Sequence, residues 1–111
     1  DYTGFEWIDA GDADHNVISY VRQGPDADGE IQHLVCILNF AGNPHEDFRV
    51  GLPFGGEWEE VLNSDALIYG GSGVTNPEPL QAEELHWNNR DHSVALRLPP
   101  LGATFLRPVK K

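Results

Sequence analysis

Three consecutive stretches decide the fold: residues 16–23 (NVISYVRQ), the turn Gly24-Pro25-Asp26-Ala27-Asp28-Gly29, and residues 31–40 (IQHLVCILNF). The first alternates. Val17, Ser19 and Val21 fall on one face, and Ile18, Tyr20 and Arg22 on the other. Its β-branched and aromatic residues suit a pleated surface. The turn follows from its chemistry: Pro25 fixes φ, and Asp28-Gly29 tolerates φ > 0. The third stretch carries Leu34-Val35-Cys36-Ile37-Leu38, apolar at successive positions, as a strand covered on both faces would be. An antiparallel hairpin with a central second strand is expected.

The same rhythm runs outward. Ala41-Gly42-Asn43-Pro44 breaks the pattern, and residues 47–52 (DFRVGL) alternate Phe48, Val50 and Leu52. After a turn at 53–56, residues 57–62 (EWEEVL) form a short strand with Trp58 inward and charges between. Residues 93–98 (SVALRL) alternate Val94, Leu96 and Leu98, Pro99-Pro100 end them, and 103–107 (ATFLR) close the set. Six strands at short spacing, with no stretch reading as a three-turn amphipathic helix, predict an all-β fold. That fold is an antiparallel sandwich of Greek-key type with about 6–8 strands. One segment stands apart. Residues 64–91 span the gap between two strands with little regular pattern, yet hold Tyr69, Leu80, Leu85 and Trp87. Long loops are usually functional or disordered, and these apolar residues predict one folded against its own sheet or a neighbouring domain.

Composition narrows the function. The 111 residues make one domain, too few for a (β/α)8 barrel of roughly 250. Seven Lys and Arg against 18 Asp and Glu leave a net charge of −11, which repels phosphate backbones and anionic lipid. Nucleic acid and membranes are therefore not expected partners, while neutral ligands such as sugars remain. The lone Cys36 permits no intrachain disulfide, nothing resembles a signal peptide, and the longest apolar run, residues 34–38, is far too short to span a bilayer. A cytoplasmic location is expected. The lack of any Met reads as the mark of a piece of a longer protein.

The motifs that resemble reactive sites each lack a part that the chemistry needs. Tyr69-Gly70-Gly71-Ser72-Gly73-Val74 is glycine-rich, but no Lys follows as a phosphate loop requires, and Pro77 and Pro79 obstruct a following helix. Ser72 lacks the second Gly of a nucleophile elbow. Asp9, Asp12 and Asp14 cluster without the order of a calcium loop. His15, His33, His45, His86 and His92 show no zinc spacing, and Cys36 sits in an apolar strand. Glu57, Glu59, Glu60, Glu83 and Glu84 read as a solvated acidic surface rather than paired glycosidase carboxylates. No catalytic residue, metal or cofactor is expected. What remains is aromatic. Trp87, in a polar stretch, and Tyr69 are the candidates for stacking on a sugar ring. Phe5, Trp7 and Trp58 are the candidates for a contact between domains, and Trp7 and Trp58 read equally as core.

A set of strings in one order then points to a family. Gly4-Phe5-Glu6-Trp7-Ile8-Asp9, residues 16–22, Phe48-Arg49-Val50-Gly51-Leu52-Pro53, Trp58-Glu59-Glu60-Val61-Leu62-Asn63-Ser64-Asp65-Ala66, residues 69–74 and Leu98-Pro99-Pro100-Leu101-Gly102-Ala103 resemble the C-terminal β-domain of 1,4-α-glucan (glycogen) branching enzymes, of the α-amylase superfamily. Residues 77–90 match that pattern poorly. The resemblance implies one C-terminal β-sandwich domain over residues 1–111. It also implies a parent enzyme that cleaves α-1,4 links and re-forms them as α-1,6 branches without an organic cofactor. The parent's catalytic carboxylates lie on an upstream (β/α)8 barrel that has no counterpart here. The implied partners are that barrel and, through the parent enzyme, α-glucan. Two alternatives share the fold: a module that binds α-glucan itself, and the C-terminal β-domain of another superfamily enzyme, such as a trehalose-forming one.

Overall fold

The computed structural model describes residues 4–12, 16–64, 71 and 73–109. Among them it holds eight strands and no helix: β1 (Gly4–Asp12), β2 (Val17–Pro25), β3 (Ile31–Asn39), β4 (His45–Leu52), β5 (Glu57–Asn63), β6 (Leu80–Gln81), β7 (His92–Leu98) and β8 (Gly102–Pro108). They form two sheets, one of six strands in the order β1-β2-β3-β8-β5-β6 and one of two strands, β4-β7. Every pairing is antiparallel. The chain crosses between the sheets at β3–β4, β4–β5, β6–β7 and β7–β8, which places β8 between β3 and β5, in the interlocked manner of a Greek-key sandwich.

The expected hairpin is present. Val17 pairs with Asn39, and the ladder runs without a slip to Pro25 opposite Ile31. Asp26 organises the turn: its Oδ1 accepts from the Asp28 and Glu30 amides and its Oδ2 from Gln32 Nε2. Gly29 takes φ of 81°, the left-handed region where a side chain would be strained.

Register determines which faces are which. Val21 stands opposite Val35, Val35 opposite Leu106, and Ser19 opposite Ile37. These residues are all buried, so this parity of β2, β3 and β8 points inward. Trp58 on β5 is fully enclosed at 0 % exposure, its Nε1 donating to the Phe54 carbonyl at 3.3 Å. From the other side β4 and β7 supply Val50, Leu52, Val94, Leu96 and Leu98 to the same cluster. Trp58 is thus the largest side chain buried in the core, where its ring contributes apolar area rather than a contact surface. Its candidacy as a contact between domains is corrected by this burial.

The long connection after β5 is folded wherever it is described. Asn76 is buried and ties both sheets together. Its side chain donates to Glu60 Oε2 of β5 at 2.8 Å and to the Arg97 carbonyl of β7 at 2.9 Å, and accepts from the Arg97 amide at 2.9 Å. Asn63 adds bonds to Glu60, to Thr104 and to the Val74 carbonyl. Further on, Trp87 and Arg90 exchange both backbone hydrogen bonds around Asn88 and Asn89, whose φ values are 52° and 60°. That is a two-residue hairpin with both central residues left-handed, the form Asn favours.

This hairpin lies on β4 at Gly51. A Cβ there would stand 2.5 Å from the Trp87 carbonyl oxygen and 3.0 Å from Arg90 Cγ, whereas one at Gly42 would meet nothing within 4 Å. Gly51→Ala is therefore expected to destabilise the chain by about 1–3 kcal/mol, with Gly42→Ala near neutral. Trp58→Ala should cost about 3–5 kcal/mol through the cavity it leaves. Urea unfolding of the three variants checks both the size and the order of these effects.

Candidate functional site: an uncovered apolar face and a tryptophan-walled groove

The parity that does not face the core runs across the outside of the six-stranded sheet. Trp7 of β1 stands opposite Tyr20, Tyr20 opposite Cys36, Cys36 opposite Phe105, and Phe105 opposite Leu62. That is an unbroken row of apolar and aromatic side chains over five strands. Phe5, Arg22 and Leu34 form the next row on one side, and Ile18, Leu38 and Ala103 the row on the other. The two-stranded sheet covers the opposite face; on this one Cys36 is buried among its neighbours, Tyr20 and Phe105 are part-buried, and the ends of the rows are open. Phe5 is 52 % exposed and Trp7 51 %, and Val61 and Leu62 at the bulge in β5 are also exposed.

The aromatic end of this face is ordered by ring geometry. Phe5 and Trp7 meet edge-to-face with centroids 5.0 Å apart, Phe5 and Tyr20 lie 5.0 Å apart, and Trp7 and Tyr20 meet edge-to-face at 5.8 Å. Edge-to-face contacts suit the ring quadrupole. Beneath them Cys36 is buried. Burial pushes its thiol up, despite a hydrogen bond from Tyr20, and burial first, then Cys36, pushes the Tyr20 hydroxyl up as well. The thiol stays protonated near neutrality, which suits packing rather than nucleophilic chemistry. Phe5 and Trp7 thus stand on the surface. Tyr20, Phe105 and Leu62 join them, and the sequence reading had not singled those out. The signal was the second parity of residues 16–23, Ile18 and Tyr20, which is nearly as apolar as the first.

Trp87 lies elsewhere, on the outer side of β4 and β7. It is 45 % exposed and walls a groove of about 550 Å³, shared with Pro44, Glu46, Asp47, Arg49 and Ala95. Arg49 is held by Ser93 Oγ and Glu83 Oε1, both at 2.9 Å. Tyr69, the other sugar-stacking candidate, lies outside the described residues. So do Asp14 and Ser72, and among the described residues no group of three His, Cys, Asp or Glu side chains is placed to hold a metal ion. No helix among them is long and apolar enough to cross a membrane.

The architecture defines a class: an all-β sandwich closed on one face and apolar on the other. Residues 7–109 match the family of alpha amylase C-terminal all-beta domains, and the chain belongs to that family. Over 108 residues it is 50 % identical to the 1,4-alpha-glucan branching enzyme GlgB of Cereibacter sphaeroides, covering 97 % of this chain and 14 % of that protein. It is also 50 % identical over 107 residues to the GlgB of Leifsonia xyli subsp. xyli, covering 96 % and 14 %. With the GlgB of Thermobifida fusca it shares 47 % over 104 residues, covering 93 % and 13 %. The chain thus spans about one-seventh of the length of the curated relatives it matches, and the family expected from the ordered strings is the family found.

One titration is built into the closed side. His33 packs edge-to-face on Phe54 with centroids 5.0 Å apart, and burial lowers its pKa from 6.5. The unfolded chain therefore binds the proton more readily than the folded one. This contribution to stability is whole above about pH 6.5 and fades as pH falls through the lower folded value. The urea midpoint of His33→Gln should drop less than that of the parent chain between about pH 7.5 and about pH 5.5. Parallel decreases would show that His33 contributes nothing to the slope.

Proposed function

We propose that this chain is the non-catalytic C-terminal domain of a cytoplasmic glycogen (1,4-α-glucan) branching enzyme. In this reading it supports the catalytic barrel by docking the outer face of its six-stranded sheet against it. The observation that carries the reading is the row Trp7–Tyr20–Cys36–Phe105–Leu62, whose two ends, Trp7 and Leu62, are exposed while the other face of the same sheet is closed by β4 and β7. Contiguous exposed apolar surface of this kind marks an interaction site. Identity near one-half to branching enzymes across 97 % of the chain supplies the parent activity. The remainder of such a protein, some six-sevenths of its length, supplies the occupant of the face and the α-1,4-to-α-1,6 chemistry.

The physics is that of a split core. Removing apolar surface from water is worth about 25 cal/mol per Å², so half-exposed Phe5 and Trp7 gain their full value only when a second surface covers them. Arg22, alone among the flanking row, would place one charge at the rim of the contact.

Two measurements test this. The chain by itself should leave iodine-stained amylose unfaded. Trp7→Asp should lower the unfolding midpoint of the full-length enzyme by clearly more than it lowers that of the isolated chain, where only the Phe5 and Tyr20 ring contacts and the half of Trp7 already buried are lost. Fading of the stain, or equal shifts in both contexts, would overturn the reading.

A further inference from the structure

The Trp87 groove is walled off from the apolar face and has a different chemistry. Its indole is presented by a two-residue turn, and that turn is anchored at three points. Asn88 Oδ1 accepts from the Gly51 amide at 2.9 Å, Arg90 Nη2 donates to Glu6 Oε1 at 2.8 Å, and Gly51 leaves no room between β4 and the hairpin. A half-exposed indole on so fixed a base is a preorganised flat surface, because little ordering entropy remains to be lost on binding.

The groove's remaining walls combine Pro44, Phe48 and Ala95 with side chains of both signs. Glu46 and Asp47 bring exposed carboxylates, and Glu46 Oε1 also accepts from Arg97 Nε at 3.2 Å. Arg49, at the base, is oriented by Ser93 and Glu83. A polyanion is repelled by Glu46 and Asp47 and by the net charge of −11. A neutral chain of pyranose rings fits each feature. Ring C–H faces stack on the indole, and edge hydroxyls both donate to carboxylates and accept from Arg49. The volume of about 550 Å³ lies within the ordinary range of small-ligand sites.

We propose that the groove between Trp87 and the Pro44–Arg49 segment binds a short stretch of α-1,4-glucan, away from the face that docks. The choice of α-glucan rests on the proposed parent enzyme; the groove itself calls for a neutral saccharide. The site would hold the polymer near the enzyme without taking part in bond making. It raises the local concentration of chain ends through a second contact on the same molecule.

Maltoheptaose titrated into the 15N-labelled chain tests this through its three indole N–H signals. Trp58 is the internal reference, since its ring is enclosed. The Trp87 signal should move with saturation, while those of Trp58 and Trp7 stay still. Trp87→Ala should keep the urea midpoint, because the hairpin's backbone bonds remain, yet weaken maltoheptaose binding at least about tenfold. No shift of Trp87 at millimolar maltoheptaose would overturn the groove, and it would leave the docking reading intact, since that is read from amylose staining and full-length stability. Movement of Trp7 instead would place the saccharide on the apolar face and overturn the assignment. Equal shifts with cellohexaose would overturn the preference for the α-linked chain.

Discussion

A two-stranded sheet laid over a six-stranded one is the constraint on which this molecule turns. β4 and β7 bring Val50, Leu52, Val94, Leu96 and Leu98 against Val35, Ile37, Trp58 and Leu106, and together these make the core. Fully burying each such side chain is worth about 1.5–3 kcal/mol, so the closed face is the source of the chain's stability. A pair of strands covers one side of a wide sheet and no more. The outer rows of β1, β2, β3, β8 and β5 therefore keep exposed apolar ends at Phe5, Trp7 and Leu62, although their residues are those of an interior.

Polar bonds set the geometry that the core leaves free. A hydrogen bond contributes about 0.5–1.5 kcal/mol net, but an unmet buried group costs more, so buried amides have few acceptable positions. Asn76 illustrates this by bonding to Glu60 on one sheet and Arg97 on the other. Asn39 does the same at the end of β3, donating to the Pro99 and Asn43 carbonyls and accepting from the Ala41 amide. Among the described residues no buried side-chain nitrogen or oxygen lacks a partner. The long connection that looked irregular as a string is in this way pinned to the sandwich.

The pinning has a functional consequence. The hairpin at residues 87–90 reaches β1 through Arg90 to Glu6 and to the Trp7 carbonyl, and through Asn88 to Asp9. β1 thus carries Phe5 and Trp7 on its outer side and receives the 87–90 hairpin, which bears Trp87, along its edge. The two surfaces are distinct in chemistry, one apolar and the other polar with a single indole, yet they share one strand. A change in how β1 sits would be felt at both.

Much of this was legible in the residues alone. Alternation in 16–23, 47–52 and 93–98 marked strands that lie where expected, and turn chemistry at Pro25–Gly29 and the inward setting of Trp58 followed from local rules. Two strands were not foreseen. The run of β1 is broken by register shifts at Trp7–Asp9 and Asp9–Asp12, which spoil simple alternation, and β6 is only two residues long. Asn88-Asn89 carried a turn signal that went unread because nothing regular surrounds it. Residues 34–38 read as covered on both faces: Val35, Cys36 and Ile37 are all buried, while Leu34 and Leu38 of the outer parity are part-buried. What the sequence by itself determined is which side chains share a face, because a strand's period of two is local. Which face meets the second sheet was decided only in the tertiary structure. So were the gathering of Trp7, Tyr20, Cys36, Phe105 and Leu62 into one row and the meeting of Trp87 with Arg49. These depend on strand order and register, which join residues far apart in the chain and leave no trace in local spacing.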